Sequence, residues 1–219
     1  DNCLFVALVS DRNDGHKYIG ELYEKGVRTF MVVESRTEVA GFPEAAFICV
    51  SDTLKALQEL GAAHRHRFNI PVIGITGSNG KTIVKEWLFQ LLSGDYNIIR
   101  SPKSYNSQTG VPLSVWKMAS RHNLAIFEAG ISCPGEMERI APIIDPAIGI
   151  FTNIGHAHDE YFVDQREKVH EKLKLFRNAR TLIYCSDYTL ITECLNAEPA
   201  YNCLQTFTWS RNPGADLVI

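Results

Sequence analysis

The chain has 219 residues, of which 45% are hydrophobic, 21% charged and 10% aromatic, which is the composition of a globular protein with enough apolar material for a sizeable core. The formal net charge of −3 gives no electrostatic reason to expect nucleic acid or an anionic membrane as a partner. No apolar run approaches the roughly 20 residues that a transmembrane helix needs, so membrane insertion is not expected.

Short β-rich runs alternate with helical patterns along nearly the whole chain, which predicts parallel strands joined by crossover helices. In the first segment, strands are predicted at 4–9, 29–33 and 46–50, and helices at 16–25 and 53–67. A basic, polar stretch at 64–69 then precedes Pro71 and a new strand. We therefore expect a partial N-terminal domain at 1–69 and a central domain at 70–219.

The second segment continues the alternation. Strands are predicted at 72–76, 124–128, 148–152 and 182–185, and helices at 82–92, 111–119, 136–144 and 166–178. The sequence begins and ends in strand-like runs, 4–9 and 216–219, so we expect a piece of a longer protein. The predicted fold is α/β, with a small N-terminal α/β domain followed by a truncated central domain that has a mostly parallel sheet.

The six cysteines form no C-x-x-C pair, so neither a zinc ribbon nor a thioredoxin motif is supported. Most lie in apolar stretches such as Ile48-Cys49-Val50, where a reduced cysteine behaves as a small hydrophobic residue. This usage predicts reduced thiols and a cytoplasmic location.

The most specific motif is a glycine-rich loop between a predicted strand and a predicted helix, Gly74-Ile75-Thr76-Gly77-Ser78-Asn79-Gly80-Lys81-Thr82. A bound triphosphate needs close backbone N–H groups, a helix N-terminus, a lysine for the β- and γ-phosphates and a hydroxyl for Mg²⁺. Gly77, Gly80, Lys81 and Thr82 supply these groups, and Ser78 and Asn79 complete the loop. The strict P-loop spacing is not met, so an ordinary glycine turn is the alternative interpretation.

This loop resembles the nucleotide-binding loop of the Mur ligases and of the related folylpolyglutamate synthetases. The resemblance continues through 106–113, 127–130 and 152–162. Upstream, 4–8 together with Asp14-Gly15-His16 resembles the domain that holds the uridine nucleotide substrate in this family. Several separated motifs agree in order, and together they imply a cytoplasmic, ATP- and Mg²⁺-dependent ligase of peptidoglycan precursor synthesis.

A carboxylate follows the predicted strand at 124–128. The carboxyl end of a buried parallel strand faces the crevice where open α/β sheets bind ligands, and Mg²⁺ prefers oxygen ligands. We therefore expect Thr82 and Glu128 to hold a metal ion on the triphosphate. The alternative is that Glu128 caps the following turn.

Two histidines, His156 and His158, follow the next strand, and their spacing does not choose between them. The family pattern A-H-x-[DE] matches Ala157-His158-Asp159-Glu160, so the resemblance gives a metal-binding role to His158.

The predicted helix at 166–178 contains Lys168, Lys172 and Lys174. Lys172 lies near the edge of the helix's apolar stripe, whereas Lys168 and Lys174 point away from it. The resemblance places at Lys172 a carbamylated lysine that bridges metal ions, although many relatives have a glutamate at the position of Lys174. The alternative is that all three lysines form a solvated face.

Asn106 lies in a polar loop ahead of a helix that Val111 and Pro112 begin. This loop resembles the family's N-x-x-x-G-x-P segment, which lies near the nucleotide and the uridine-linked substrate.

The resemblance implies amide formation through an acyl phosphate. Segments 106–113 and 128–137 look most like the family member that joins D-alanyl-D-alanine to UDP-N-acetylmuramoyl-tripeptide, so these are the expected substrates. The alternatives are the ligase that adds the third peptide residue, a folylpolyglutamate-synthetase-like ligase, and a nucleotide-binding module without catalysis. The last stays open because the family's C-terminal domain, which closes over ATP to complete the site, is expected to lie outside this sequence. Pyridoxal phosphate is expected only if an alanine racemase domain is fused downstream.

Overall fold

The computed structural model describes residues 3–10, 13–34, 41–155 and 161–219. The chain divides into two compact units, Asp1–Leu60 and Gly61–Ile219. The division falls inside a helix, α2 (Thr53–Arg65). The reason is that the end of this helix packs within the second unit: a Cβ on Gly61 would lie 2.8 Å from Pro112 Cβ, and Arg65 Nε donates to the carbonyl of Ile144 over 3.1 Å.

The described part of the first unit contains a three-stranded parallel sheet and a short hairpin. The elements in chain order are β1 (Leu4–Val6), β2 (Val9–Ser10), β3 (Asn13–Asp14), a 3-10 helix (Gly15–Tyr18), α1 (Ile19–Glu24), β4 (Thr29–Val33) and β5 (Ala46–Val50). The sheet order is β1-β4-β5, and β2 pairs antiparallel with β3. The strand predicted at 4–9 is therefore wrong in its length, because Val9 belongs to the hairpin. Phe30 stacks on Phe47 in the core of this unit, with ring centroids 5.3 Å apart.

The second unit contains a larger parallel sheet and its helices. Its elements are β6 (Val72–Thr76), α3 (Lys81–Leu92), β7 (Ile98–Arg100), α4 (Gly110–Val115), β8 (Leu124–Glu128), α5 (Glu136–Ile144), β9 (Ile148–Phe151), α6 (Gln165–Leu173), a 3-10 helix (Lys174–Phe176), β10 (Thr181–Cys185), α7 (Thr189–Ala197), a 3-10 helix (Pro199–Tyr201), β11 (Gln205–Ser210) and β12 (Leu217–Val218). The sheet order within the described residues is β12-β11-β10-β9-β6-β8-β7, and every strand pair is parallel. The predicted mostly parallel α/β fold is thus confirmed.

Two hydrophobic layers cover the faces of this sheet. Ile73 and Ile75 of β6 pack with α3 on one face, while alternate residues such as Val72 belong to a larger core on the other. Helices α4 to α7 contribute to that larger core, for example through Val111, Ile140 and other apolar residues. Because side chains alternate across a strand, strands that are buried on both faces read as continuous apolar runs. The loops at the carboxyl ends of β6, β8 and β9 meet at one edge of the sheet.

Several sequence predictions differ from the structure. Strand β7, helix α7 and strand β11 were not predicted, and the helix predicted at 166–178 is an α-helix to Leu173 followed by a 3-10 turn. The apolar stripe of α3 is also narrower than its sequence indicates. Trp87 and Leu91 are 62% and 77% exposed, since the face that packs on the sheet is carried by Val84, Leu88 and Leu92.

Candidate active site

The phosphate loop connects the end of β6 to the start of α3, and its backbone shape requires glycine. Gly77 has φ +139°, and a Cβ on it would lie 2.1 Å from Thr152 Oγ1. Gly80, at the N-cap of α3, has φ +81° in the left-handed region. Glycine adopts both conformations at little steric cost, whereas other residues are strained there. The loop therefore brings bare backbone to the N-terminus of α3.

A second segment, at the carboxyl end of β9, braces the loop. Ser78 N donates to Asn153 O over 2.9 Å, and Asn79 N donates to Asn153 Oδ1 over 2.9 Å. Thr152 Oγ1 donates to Asn79 O over 2.6 Å, and Gly155 N donates to Ser78 Oγ over 3.0 Å. These hydrogen bonds satisfy polar groups of the loop and hold it in one conformation. The loop is therefore shaped before any ligand binds.

Lys81 lies at the first position of α3 with its amine folded back on the loop. Its Nζ donates to the carbonyls of Gly77 and Ser78 over 2.8 and 3.3 Å. Desolvation lowers the pKa of Lys81, and the charge of Glu128 opposes that shift. An anion in the loop would offer this partly desolvated ammonium a stronger partner than two carbonyl oxygens.

Thr82 and Glu128, which the sequence analysis expects to share a metal ion, lie in direct contact. Thr82 Oγ1 donates to Glu128 Oε2 over 3.0 Å. Glu128 is fully buried at the end of β8, and Asn106 Nδ2 donates to the same Oε2 over 3.4 Å. Adjacent oxygen ligands of an octahedral Mg²⁺, each about 2.1 Å from the ion, lie about 3.0 Å apart. The spacing of these two oxygens therefore fits one edge of a magnesium coordination shell.

The sequence analysis missed Lys85, which completes this group. Lys85 is 0% exposed, and its Nζ lies 2.8 Å from Glu128 Oε1. The same amine donates to the carbonyl of Ser101 over 2.8 Å and to that of Lys103. The available signal was its position three residues after Thr82, which places both side chains on one face of α3.

The two inner lysines of α6 are both buried, which corrects part of the sequence prediction. Lys172 is 3% exposed, and its Nζ lies 3.4 Å from Gly77 O. Burial, with the charges of Lys81 and Lys168, lowers the pKa of Lys172 to about 7. Lys168 was expected to point away, but it is 2% exposed and donates to Gly155 O over 2.6 Å. The prediction from the apolar stripe of the helix is wrong for Lys168, because the loop after β9 covers this side chain.

Lys174 does lie farther out, and acidic neighbours hold it. Its Nζ is 2.7 Å from Glu171 Oε2 and 2.8 Å from Glu138 Oε1. Burial lowers the pKa of Lys174, but these two carboxylates outweigh it and raise the pKa. The other oxygen of Glu171 accepts from Met137 N over 2.9 Å, which ties α6 to the first turn of α5. Lys174 thus links α5 to the end of α6, and it is not near the phosphate loop side of α6 where Lys172 lies.

A cavity of about 370 Å³ opens beside the phosphate loop. It is lined by Gly77, Ser78, Lys81, Asn106, Ser107, Gln108, Thr109, Gly130, Ile131, Ser132, Glu136 and Lys172. The predicted residues Gly77, Ser78, Lys81, Asn106 and Lys172 are brought together here. The other polar side chains of the lining, such as Gln108, Ser132 and Glu136, were not singled out from the sequence, because isolated polar residues in loops carry no distinctive spacing.

Other predicted features give simpler results. His158 lies outside the described residues, as does His156. All six cysteines are unpaired, and all lie in the described ranges. Among the described residues, no cluster of three or more His, Cys, Asp or Glu side chains is arranged to hold a metal ion. None of the helices in those residues combines the length and apolar character that crossing a bilayer requires.

Comparison with known proteins now places the chain in a family. The Mur ligase middle domain matches residues 75–218. The UDP-N-acetylmuramoyl-tripeptide–D-alanyl-D-alanine ligase of Bacillus subtilis is 33% identical over 210 residues, which are 94% of this chain and 44% of the relative. A crystal structure of MurF from Acinetobacter baumannii, 27% identical, superposes with a TM-score of 0.86 and covers 97% of this chain.

The fold also matches the MurF ligase of Thermotoga maritima solved in complex with ADP, at 24% identity and a TM-score of 0.83. This chain spans 44% to 48% of the length of these three relatives. The family match covers more than half of the chain. The chain therefore belongs to the Mur ligase family, whose middle domain it contains.

Proposed function

We propose that this chain carries the ATP-binding part of a ligase that joins D-alanyl-D-alanine to UDP-N-acetylmuramoyl-tripeptide in peptidoglycan precursor synthesis. The observation that carries the proposal is the 3.0 Å contact between Thr82 and Glu128, at the end of a braced phosphate loop. The relative from Bacillus subtilis bears the name of this ligase. Lys172 lines the cavity beside the loop together with Lys81 and Asn106, which extends the group of candidate site residues beyond a bare nucleotide loop.

ATP is the proposed phosphoryl donor. Its phosphates would lie on the N–H groups of Gly80, Lys81 and Thr82 at the N-terminus of α3, which favours negative charge, because those of Ser78 and Asn79 donate to Asn153. Lys81 would leave the loop carbonyls and neutralise charge that builds up during transfer. The ADP complex of the Thermotoga maritima enzyme shows that a protein with this fold holds the product nucleotide.

Magnesium is proposed to lie between the phosphates and the pair formed by Thr82 and Glu128. The 3.0 Å spacing of their oxygens suits two neighbouring ligands, and Mg²⁺ commonly takes few ligands from the protein. When bound, the ion supplies charge neutralisation on the β- and γ-phosphates. His158 is proposed as a further metal ligand on the family pattern alone, because it lies outside the described residues.

The proposed reaction has two steps. The substrate carboxylate attacks the γ-phosphorus, the bond to the β,γ-bridging oxygen breaks, and ADP and an acyl phosphate form. The amine of D-alanyl-D-alanine then attacks the acyl carbon, and inorganic phosphate leaves as the amine loses a proton. Asn106, Gln108, Ser132 and Glu136 line one cavity beside the phosphate loop, and in this proposal they would bind the uridine-linked substrate there.

Lys172 is proposed to act as a carbamate. Its pKa of about 7 leaves a substantial fraction of the amine neutral at physiological pH, and only the neutral amine adds CO₂. The product is an anionic oxygen ligand, which suits a second metal ion better than an ammonium does. Pyridoxal phosphate belongs to the proposal only if a racemase domain is fused downstream.

The first unit, together with the residues up to 69, is proposed to bind the uridine nucleotide portion of the substrate. This assignment rests on the resemblance at 4–8 and Asp14-Gly15-His16. Cytoplasmic work on a nucleotide-linked precursor agrees with the six unpaired cysteines. Neither nucleic acid nor membrane insertion has a place in the proposed reaction.

Phosphate release by the full-length protein tests the proposal. We expect ATP hydrolysis to phosphate only when UDP-N-acetylmuramoyl-tripeptide and D-alanyl-D-alanine are both present, and Lys81→Met to abolish it. Phosphate release that requires UDP-N-acetylmuramoyl-dipeptide in place of the tripeptide would indicate the ligase that adds the third peptide residue. Release that ignores both substrates, or ADP binding with no turnover, would favour a nucleotide-binding module and reject the ligase.

A further inference from the structure

Lys85 is a buried cation that the proposed reaction does not use. Its side chain is fully buried; its Nζ donates to the carbonyl of Ser101 over 2.8 Å and forms ion pairs with Glu128 Oε1 at 2.8 Å and Glu86 Oε1 at 3.2 Å. An ammonium is stable in such a place only when it is paired and hydrogen-bonded. The amine is therefore fixed in position by the surrounding chain.

The two oxygens of Glu128 consequently have different roles. Oε1 lies against Lys85, whereas Oε2 faces Thr82 at 3.0 Å and Asn106 at 3.4 Å. A cation held on Oε1 repels a metal ion that approaches that oxygen. Only Oε2 remains for a metal beside the phosphate loop, so Glu128 is restricted to a one-oxygen contact.

We propose that Lys85 determines which metal the site accepts by keeping Glu128 monodentate. Magnesium requires an octahedral shell of short, single-oxygen contacts. Calcium has longer bonds and a flexible shell, and it readily takes both oxygens of a carboxylate. A carboxylate with one oxygen blocked suits the first ion and penalises the second. The inference rests on the proposed nucleotide and magnesium site and assigns its selectivity to a residue that acts through Glu128 and not by contact with the metal.

The test is ADP binding to the protein, measured by calorimetry in Mg²⁺ and, separately, in Ca²⁺. In Lys85→Met, Oε1 is released, so the preference for Mg²⁺ over Ca²⁺, expressed as the ratio of the two ADP dissociation constants, should fall by about tenfold or more. Glu86→Gln is the matched control, because it neutralises the partly exposed ion-pair partner of Lys85 and leaves the contact with Glu128. This control should keep the wild-type ratio.

Lys85→Gln provides a second variant if Lys85→Met does not fold, since its amide keeps hydrogen-bonding capacity at this buried position but carries no charge. The same fall in the ratio is expected. An unchanged ratio, or equal weakening of ADP binding in both metals, would overturn the inference and leave Lys85 as a structural residue. If the wild-type protein shows no metal-dependent ADP binding, the proposed nucleotide site itself fails, which is a different result.

Discussion

Gly77 lies at the tightest point of the phosphate loop, where one added methyl group tests the whole site. A Cβ there would collide with Thr152 Oγ1, and its φ of +139° disfavours any other residue. We expect Gly77→Ala to weaken ADP binding by at least about tenfold, because the loop must leave its brace or accept strain. Calorimetric titration with ADP measures the loss.

Gly94→Ala is the matched control for that substitution, since a Cβ on Gly94 meets nothing within 4 Å. Its ADP affinity should equal that of the wild type. Undiminished ADP binding by Gly77→Ala would mean that the phosphates do not lie on this loop.

Lys172 gives a pH-dependent prediction. The pKa of this amine falls from 10.5 in the unfolded chain to about 7 in the fold, chiefly through burial. Below pH 7 both states are protonated and the fold bears the full cost of a buried ammonium. Between pH 7 and 10.5 the unfolded chain binds more protons, so this group's contribution to stability improves as pH rises. Replacing Lys172 removes the cost that is greatest at low pH.

We therefore expect Lys172→Met to raise the free energy of unfolding most at pH 6 and least at pH 9. The upper limit is about 5 kcal/mol, from 1.36 kcal/mol per pKa unit. Urea unfolding in CO₂-free buffer measures it without carbamylation. Lys174→Met gives the contrast, because Glu138 and Glu171 raise the pKa of Lys174 against its burial and its loss should destabilise the fold. A gain in Lys172→Met that is independent of pH would contradict the assignment.

At the scale of elements, the segment after β9 preorganises the loop after β6. Asn153 accepts from Asn79 N with its Oδ1 and donates to Asn79 O over 3.2 Å with its Nδ2. Asn153→Ala removes these two hydrogen bonds to the backbone of Asn79, so the loop samples more conformations before ADP binds. We expect ADP affinity to fall by about fivefold to thirtyfold, at roughly 1 kcal/mol for each of the one or two lost bonds, with the fold intact by circular dichroism.

Asn123→Ala is a suitable control for this brace. The side chain of Asn123 also accepts from a backbone N–H, that of Asn97 over 2.8 Å, but it precedes β8 at the opposite edge of the sheet. ADP affinity should not change in this variant. Equal losses in both variants would assign the effect to general loosening of the sheet.

How far the sequence predicts these elements depends on whether the signal is local. The strand, the glycines and the start of α3 are encoded in one continuous stretch, so this strand–loop–helix segment was predicted correctly. The partnership of Lys85 with Glu128 joins residues 43 positions apart through a buried ion pair, and no spacing rule reports it. Lys168 was misjudged for a similar reason, since a loop remote from its own helix buries it.

At the scale of the whole molecule, alternating strands and helices predict a parallel sheet but not its order. The order β9-β6-β8-β7 depends on which strand edges pair with each other across long stretches of sequence, and short strands such as β7, of three residues, carry too little pattern to be recognised. The first unit has its own core around Phe30 and Val32, separate from the two clusters that cover the larger sheet. Each unit thus has the contacts for its own cooperative unfolding.

This separation predicts where a nucleotide stabilises the molecule. The proposed phosphate and magnesium contacts lie in the second unit, so ADP with Mg²⁺ at about 100 times its dissociation constant should add about 2.7 kcal/mol there by linkage. Native-state hydrogen exchange should show amides of β6 and β8 slowed by about a hundredfold and those of β4 and β5 unchanged. Equal slowing in both units would mean that they open together, and the boundary at Leu60 would then not divide two independently unfolding parts.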